Sequence, residues 1–260
     1  MKYIDTHTHL DGEEFVEDLA DVVVRCKEAG CVKAFIPAID LKGLPRILQI
    51  CDEYKGWAYP MIGLHPEEVG EDYANVLHEM HKILAQDTSK YIAVGEVGLD
   101  FYWSRERYDE QLITFEEQVK WAVEFCKPLM IHCRKGQAEM VKILRKYEKD
   151  LVGGVFHCFT GNEQEAQELL SFDKFMLGIG GVLTFKKSHL PEVLPSVVPL
   201  SRIVLETDSP YMAPVPMRGT RNEPSFIPYI IKVMAEAYGV EEDEICRQTI
   251  ENTRILFEFS

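Results

Sequence analysis

The chain is short of positive charge. Its 260 residues hold 28 Lys and Arg against 43 Asp and Glu, a formal net of −15. That excess repels polyanions at long range and offers no polybasic membrane anchor, so a polyanionic substrate would need a local positive site or metal ions. No run of 18 or more apolar residues is present to span a bilayer. Nor does a secretory leader open the sequence, since Met1-Lys2-Tyr3 runs straight into Ile4-Asp5-Thr6-His7. The seven cysteines are odd in number and lack CxxC spacing, which reads as reduced thiols packed as small hydrophobes. These absences predict a cytoplasmic protein without membrane association, a monomer or weak oligomer. GxGxxG and GxxxxGK motifs are missing, which removes the usual nucleotide-binding signatures. With no internal repeat, low-complexity tract or linker, residues 1–260 read as one domain.

What the sequence does have is alternation. Short apolar or β-branched runs at Lys2–His7, Lys33–Ala38, Ala58–Leu64, Tyr91–Glu96, Pro128–Cys133, Gly153–His157, Lys174–Gly178 and Arg202–Glu206 read as eight strands. Between them lie amphipathic stretches: Val16–Ala29, Leu44–Tyr54, Tyr73–Gln86, Thr114–Cys126, Gln137–Lys149 and Glu163–Ser171. In the first of these, Leu19, Val23 and Cys26 recur at the spacing of one helical face. The Leu183–Leu200 stretch carries Pro191, Pro195 and Pro199, so its helix should be short and distorted. A Pro-rich loop, Ser209–Pro224, precedes two closing helices, Ser225–Tyr238 and Glu241–Phe257. Strands alternating with helices argue for parallel βαβ units. Eight of them in this length predict an α/β fold, a (β/α)8 TIM barrel distorted near its seventh unit, with an extra C-terminal helix.

The polar residues concentrate where such a barrel keeps its chemistry. The predicted strands end in Asp5-Thr6-His7-Thr8-His9, Gly63-Leu64-His65-Pro66, Gly95-Glu96-Val97-Gly98-Leu99-Asp100, Ile131-His132-Cys133-Arg134, Phe156-His157-Cys158-Phe159 and Glu206-Thr207-Asp208-Ser209-Pro210. Six strands thus deliver a His, Glu or Asp to the C-terminal rim, where barrel active sites are built. A single histidine is more often a hydrogen-bonded surface or core residue, and His78, His81 and His189 are read that way. An HxH pair is stronger, because residues two apart on a strand share a face. His7, His9, Glu96, His132, His157 and Asp208 are therefore the candidate metal ligands. Imidazoles and carboxylates without thiolates suit Zn²⁺, Mn²⁺ or another catalytic divalent ion with open positions. Six ligands are too many for one such ion, so two ions with Glu96 as bridge are expected. Such a pair lowers the pKa of the water between them towards ~7. Asp208 would bind one ion and steer or deprotonate the attacking water. Cys133 and Cys158 follow ligands directly and are expected to face away from the site. Asp5 and Glu206, two residues before His7 and Asp208, read either as partners supporting the ligands from beneath or simply as buried, hydrogen-bonded carboxylates.

DTHTHLD (Asp5–Asp11), GLHP (Gly63–Pro66), GEVGLDFY (Gly95–Tyr102), IHCR (Ile131–Arg134), GVFHCFTG (Gly154–Gly161), ETDSPYMAP (Glu206–Pro214) and RGTRNEP (Arg218–Pro224) together resemble the TatD family of metal-dependent deoxyribonucleases, within the wider amidohydrolase-like barrels. The resemblance implies that His7, His9, Glu96 and Asp208 hold one ion (Zn, Mg or Mn) and that Glu96, His132 and His157 hold the other. It implies a phosphate-contacting, catalytic role for His65 and hydrolysis of nucleic-acid phosphodiesters, often from a 3′ end. Thr6 and Thr8 depart from the family's more usual D-S-H-C-H-L-D, at positions that are not ligands. Basic and aromatic residues after the strands, among them Tyr102, Arg134, Arg218 and Arg221, are candidate substrate contacts for an unpaired strand or a 3′ end. The alternative is a hydrolase of another ester or amide, such as a D-aminoacyl-tRNA deacylase or a lactonase. Many related barrels bridge their metals with a modified lysine on strand four, but no lysine occurs from Ile92 to Tyr102. A non-enzymatic scaffold would be expected to have lost ligands, and none is missing.

Overall fold

Runs rich in Val, Ile, Leu and Met become strands because a parallel sheet is covered on both faces, and the amphipathic stretches between them carry the chain back to the starting edge. The computed structural model describes residues 1–257. In chain order its elements are β1 (Tyr3–Asp5), α1 (Leu19–Ala29), β2 (Cys31–Ile36), α2 (Leu44–Glu53), β3 (Ala58–Ile62), α3 (Tyr73–Gln86) and β4 (Ala93–Asp100). There follow α4 (Tyr108–Glu124), β5 (Leu129–Arg134), α5 (Gln137–Tyr147), β6 (Gly154–Phe156), α6 (Glu163–Leu170) and β7 (Phe175–Ile179). The chain then continues through α7 (Leu190–Val197), β8 (Ile203–Leu205), α8 (Ile227–Tyr238) and α9 (Glu242–Phe257). The eight strands stand in sequence order and adjacent pairs run parallel. Thr6 N–H bonds the Leu205 carbonyl at 3.0 Å and Asp208 N–H the His7 carbonyl at 2.9 Å, which brings the first strand to the last. The fold is the expected (β/α)8 barrel.

Alternation along the strands divides the apolar residues between two cores. Ile4, Phe35, Met61, Ala93, Met130, Val155, Met176 and Val204, one from each strand, form the barrel interior, joined by Leu256 and Phe257 of α9. Their neighbours, such as Ala34, Ile62, Val94, Ile131, Leu177 and Leu205, pack against the surrounding helices. A buried side chain of this size contributes on the order of 1.5–3 kcal/mol. α6 begins where Asn162 and Glu165 form a reciprocal capping box: Asn162 Oδ1 accepts from Glu165 N–H at 3.0 Å, and Asn162 N–H donates to Glu165 Oε2 at 2.8 Å.

Three boundaries differ from expectation in ways that matter for the site. β4 does not stop at Glu96 but runs on to Asp100, its register against β5 shifting between Val94 and Val97. α4 begins at Tyr108, six residues before the predicted start, because Asp109 and Glu110 occupy a first turn that favours acidic side chains. That extension brings Gln111 onto the helix face of Gln118, one heptad on. The seventh unit is distorted as expected, with a 3₁₀ turn at Gly181–Thr184 and an eight-residue α7 containing Pro195. The last three positions of the predicted 1–260 domain lie outside the described residues.

Candidate metal centre

Five of the predicted ligands lie around one buried carboxylate. Glu96 is 2% exposed and its two oxygens face different partners. Oε2 lies 3.1 Å from His7 Nε2 and 3.5 Å from His9 Nε2. Asp208 Oδ1 lies 3.7 and 3.5 Å from the same two nitrogens, and the two nitrogens are 3.2 Å apart. Oε1 instead faces His132 Nδ1 at 3.1 Å, His157 Nε2 at 3.3 Å and His65 Nε2 at 3.4 Å. His7, His9 and Glu96 form one group able to hold an ion, and His65, Glu96 and His132 another.

Donor separations test whether an ion fits. Two ligands each about 2.1 Å from an ion lie roughly 3.0–3.4 Å apart at octahedral to tetrahedral angles. Three of the separations around Glu96, at 3.1, 3.1 and 3.3 Å, fall within that span, and the other three, at 3.5–3.7 Å, exceed it by 0.1–0.3 Å. Every donor is an imidazole nitrogen or carboxylate oxygen, the chemistry of a catalytic divalent ion.

Local backbone explains how the groups converge. Asp208 adopts a left-handed conformation (φ 56°), which an Asp tolerates better than most residues and which turns its carboxylate toward His7 and His9. α4 pins two strand ends from outside. Gln118 accepts from Leu64 N–H at 2.7 Å and donates to the Leu64 carbonyl at 3.1 Å, fixing the residue before His65. Gln111 does the same for Asp100, at 2.9 and 3.0 Å.

The electrostatics follow from burial opposed by proximity. Burial pushes the Glu96 carboxyl up, but His7, His65 and His157 and the hydrogen bond with His132 outweigh it and hold it well below the carboxylate range. Burial likewise raises Asp208, and the His9 hydrogen bond and neighbouring imidazoles bring it below its ordinary value. Burial lowers His132, yet its bonds to Asp100 and Glu96 carry it to about 9. His157 rises against burial through Glu206 and Glu96. His7 goes the other way, lowered by burial and then by His157, whose ring stacks on it at 3.8 Å. Negative carboxylates among imidazoles hold protons at positions that suit cations.

The remaining predicted contacts divide. His65 Nδ1 accepts from Glu67 N–H at 3.1 Å, so the ring's proton sits on Nε2, facing the centre as a donor. Above the metal centre opens a cleft of about 690 Å³, lined in part by Trp103, Arg134, Tyr211 and Met212. The Arg134 guanidinium lies 3.5 Å over the Tyr102 ring and 5.3 Å from Trp103. Arg218 sits instead over Phe185 at 4.0 Å, away from the cleft lining. Arg221 is diverted altogether: it forms a two-pronged pair with Asp18 at 2.8 and 2.7 Å and donates to the Glu14 carbonyl. It lines a separate groove with Glu13, Glu14, Glu17 and Asp18, because α1 passes close to the loop after β8.

Cys133 and Cys158 border the cleft instead of facing away. Cys158 has a left-handed backbone (φ 49°) that breaks strand alternation, and Cys133 lies beyond Ile131, where β5 last pairs with β6. Asp100, present at the end of the fourth strand in sequence but without a predicted role, places its Oδ2 2.9 Å from His132 Nε2. The apolar pair Val97 and Leu99 continues the strand past Glu96 to this residue.

Comparison with known proteins shows the family and the fold. The family described as TatD related DNase matches residues 4–258. The uncharacterized metal-dependent hydrolase YabD of Bacillus subtilis is 34% identical, over 97% of this chain and 98% of its own. The 3′-5′ ssDNA/RNA exonuclease TatD of Erwinia amylovora is 30% identical over 97% of this chain and 98% of its own. Among solved structures, the TatD homolog YjjV of Escherichia coli superposes with a TM-score of 0.92 at 28% identity, covering 99% of this chain and 98% of that one.

Proposed function

The chain belongs to the family of TatD-related DNases and is a metal-dependent hydrolase, and from that premise we propose that it shortens single-stranded nucleic acid from the 3′ end at two divalent ions bridged by Glu96. The observation that carries the two-ion reading is the division of labour within one side chain. Glu96 Oε2 serves His7 and His9, while Oε1 serves His132 and His157. In the proposal His7, His9, Glu96 and Asp208 hold one ion and Glu96, His132 and His157 the other, with Zn, Mn and Mg as candidates.

When bound, the ions supply Lewis acidity to the phosphate and acidify the attacking water. The protein's own groups do the rest. Asp208, kept ionised, accepts the water's proton. His65 donates from Nε2 to a phosphate oxygen, its other nitrogen being occupied by Glu67. Arg134 neutralises a neighbouring phosphate at the cleft wall. Trp103 stands 72% exposed in an edge-on contact with Tyr102 at 4.8 Å, a face on which an unpaired base can stack. Basic groups confined to one part of the cleft suit a short single strand or an end better than a long duplex. Among the described residues no helix is long and apolar enough to cross a membrane, and we keep the cytoplasm as the proposed compartment and a monomer or weak oligomer as the proposed state.

The test is a 5′-labelled oligonucleotide incubated with Mn²⁺, Mg²⁺ or Zn²⁺. A ladder shortening from the 3′ end is expected and Glu96→Ala should abolish it; undiminished cleavage under complete chelation would refute the proposal. One observation favours a second substrate. Asp11, Glu14, Glu67 and Glu68 also line the cleft, and such carboxylates would welcome the free amine of an aminoacyl ester. D-aminoacyl-tRNA and lactone substrates run beside the oligonucleotide decide between the two.

A further inference from the structure

The two histidines on the Oε1 side of Glu96 are presented by opposite ring nitrogens, and each has a buried carboxylate behind it. His132 turns Nδ1 to Glu96 and gives Nε2 to Asp100 Oδ2 at 2.9 Å. His157 turns Nε2 to Glu96 and gives Nδ1 to Glu206 Oε1 at 3.2 Å. Both carboxylates are themselves fixed. Asp100 Oδ1 accepts from Tyr102 N–H at 2.9 Å, which leaves Oδ2 for the imidazole, and Gln111 clamps its backbone. Glu206 Oε1 also accepts from Cys158 N–H at 2.5 Å. Its Oε2 has no hydrogen-bond partner among the described residues and is held by packing over Gly178, where an added Cβ would come within 2.1 Å of it. The glycine is there to make room for the glutamate. Asp100 is 4% exposed and Glu206 0%.

The Oε2 side is built differently. His7 Nδ1 has no hydrogen-bond partner among the described residues. Its companion Asp208 stands beside the nitrogens facing the ion position and not behind a ring.

An imidazole that donates one N–H to a carboxylate has its tautomer fixed, its ring plane fixed, and its other nitrogen made more basic. We infer that Asp100 and Glu206 are positioning residues that lock His132 through Nδ1 and His157 through Nε2, and so give the His132–His157 position a grip on its ion that it would otherwise lack. This position has three protein ligands in the proposed division against four for its neighbour, so the two carboxylates compensate for a missing ligand. The inference rests on the proposed ligand assignment but not on the identity of the substrate.

The experiment is calorimetric titration of chelator-stripped protein with Mn²⁺, with the melting temperature of each metal-free variant measured alongside. Wild type should bind two ions. Asp100→Asn keeps an amide oxygen that can accept from Nε2–H, and Asp100→Ala keeps nothing. The affinity of one ion should therefore fall in a graded series, Ala more than Asn, reaching about ten- to hundredfold, while the other ion holds its affinity. Glu206→Gln should weaken that same ion. A residue needed only for folding would lower the metal-free melting temperature without grading the affinity of one position, and that result overturns the inference. So do variants that bind both ions as wild type does. If wild type binds a single ion, the two-ion reading fails on its own; the inference then requires that this ion weaken in the same order, and is overturned if it does not.

Discussion

Replacing Trp103 with Ala tests the substrate reading at its most exposed point. The side chain is 72% exposed and touches Tyr102 edge-on. Its removal takes almost nothing from the core, and the melting temperature should move by no more than an exposed substitution allows, within about 0.5 kcal/mol. Stacking one base on an aromatic side chain is worth about 1–3 kcal/mol. At about 1.4 kcal/mol per factor of ten, the loss corresponds to a roughly five- to hundredfold weaker hold on a single strand. The chemistry lies deeper, at Glu96, so the effect should appear in KM and leave kcat nearly intact. An oligonucleotide with abasic residues at its 3′ end supplies the control. Wild type and Trp103→Ala should process it alike, because it offers no base to stack, whereas Trp103→Phe should recover part of the loss on the ordinary strand. Equal losses on ordinary and abasic strands, or no loss on either, would refute the assignment of Trp103 to base contact.

Glu96→Gln keeps the shape of the bridge but removes its charge, so both ions should be lost on desalting and activity should fall by at least about a hundredfold; metal analysis that still finds two ions argues against a bridging role. Arg221→Ala should leave KM unchanged, since the side chain is committed to Asp18, and should cost no more than about 1 kcal/mol as a surface ion pair; a several-fold rise in KM would return it to the substrate path. His132 is raised from 6.5 to about 9 in the metal-free protein, by Asp100 and Glu96 against burial. A raised folded-state value gives stability that is complete below pH 6.5 and lost as pH climbs through about 9. Asp5, pushed to about 8 by burial, acts in the same direction up to that pH. Thermal melts of chelated protein should therefore fall across this window, and melts at fixed Mn²⁺ should rise relative to them, because ions displace the protons. A metal-free melting temperature that is flat from pH 6.5 to 9 would refute the coupling.

Much of the centre was legible because barrel geometry converts strand ends into neighbours. His7, His9, Glu96, His132, His157 and Asp208 needed only the strand count to be placed on one rim, and they do converge. The role of Asp100 is not legible in sequence, because only the register shift between Val94 and Val97 and the pairing that follows set it beside His132. Gln111 is hidden because the amphipathic pattern places the helix start at Thr114, three residues after it. Glu206 was placed beneath the site correctly, but its partner could not be read, as strand spacing does not reveal which imidazole nitrogen turns toward it. Arg221 shows the opposite failure. A basic residue in a loop at the catalytic rim looked available for phosphate, and only the packing of α1 beside that loop, bringing Asp18 within reach, explains why it is not.

The joining of β1 to β8 has a consequence for how the protein comes into being. His7 is synthesised about 200 residues before Asp208, which follows the eighth strand, and Thr8 meets Ser209 only when that strand has seated. A nascent chain halted within α7 already carries His7, His9, Glu96, His132 and His157, yet it lacks both Asp208 and the edge that brings β1 around. In the proposed division, the four-ligand position therefore forms only once the eighth strand is in place.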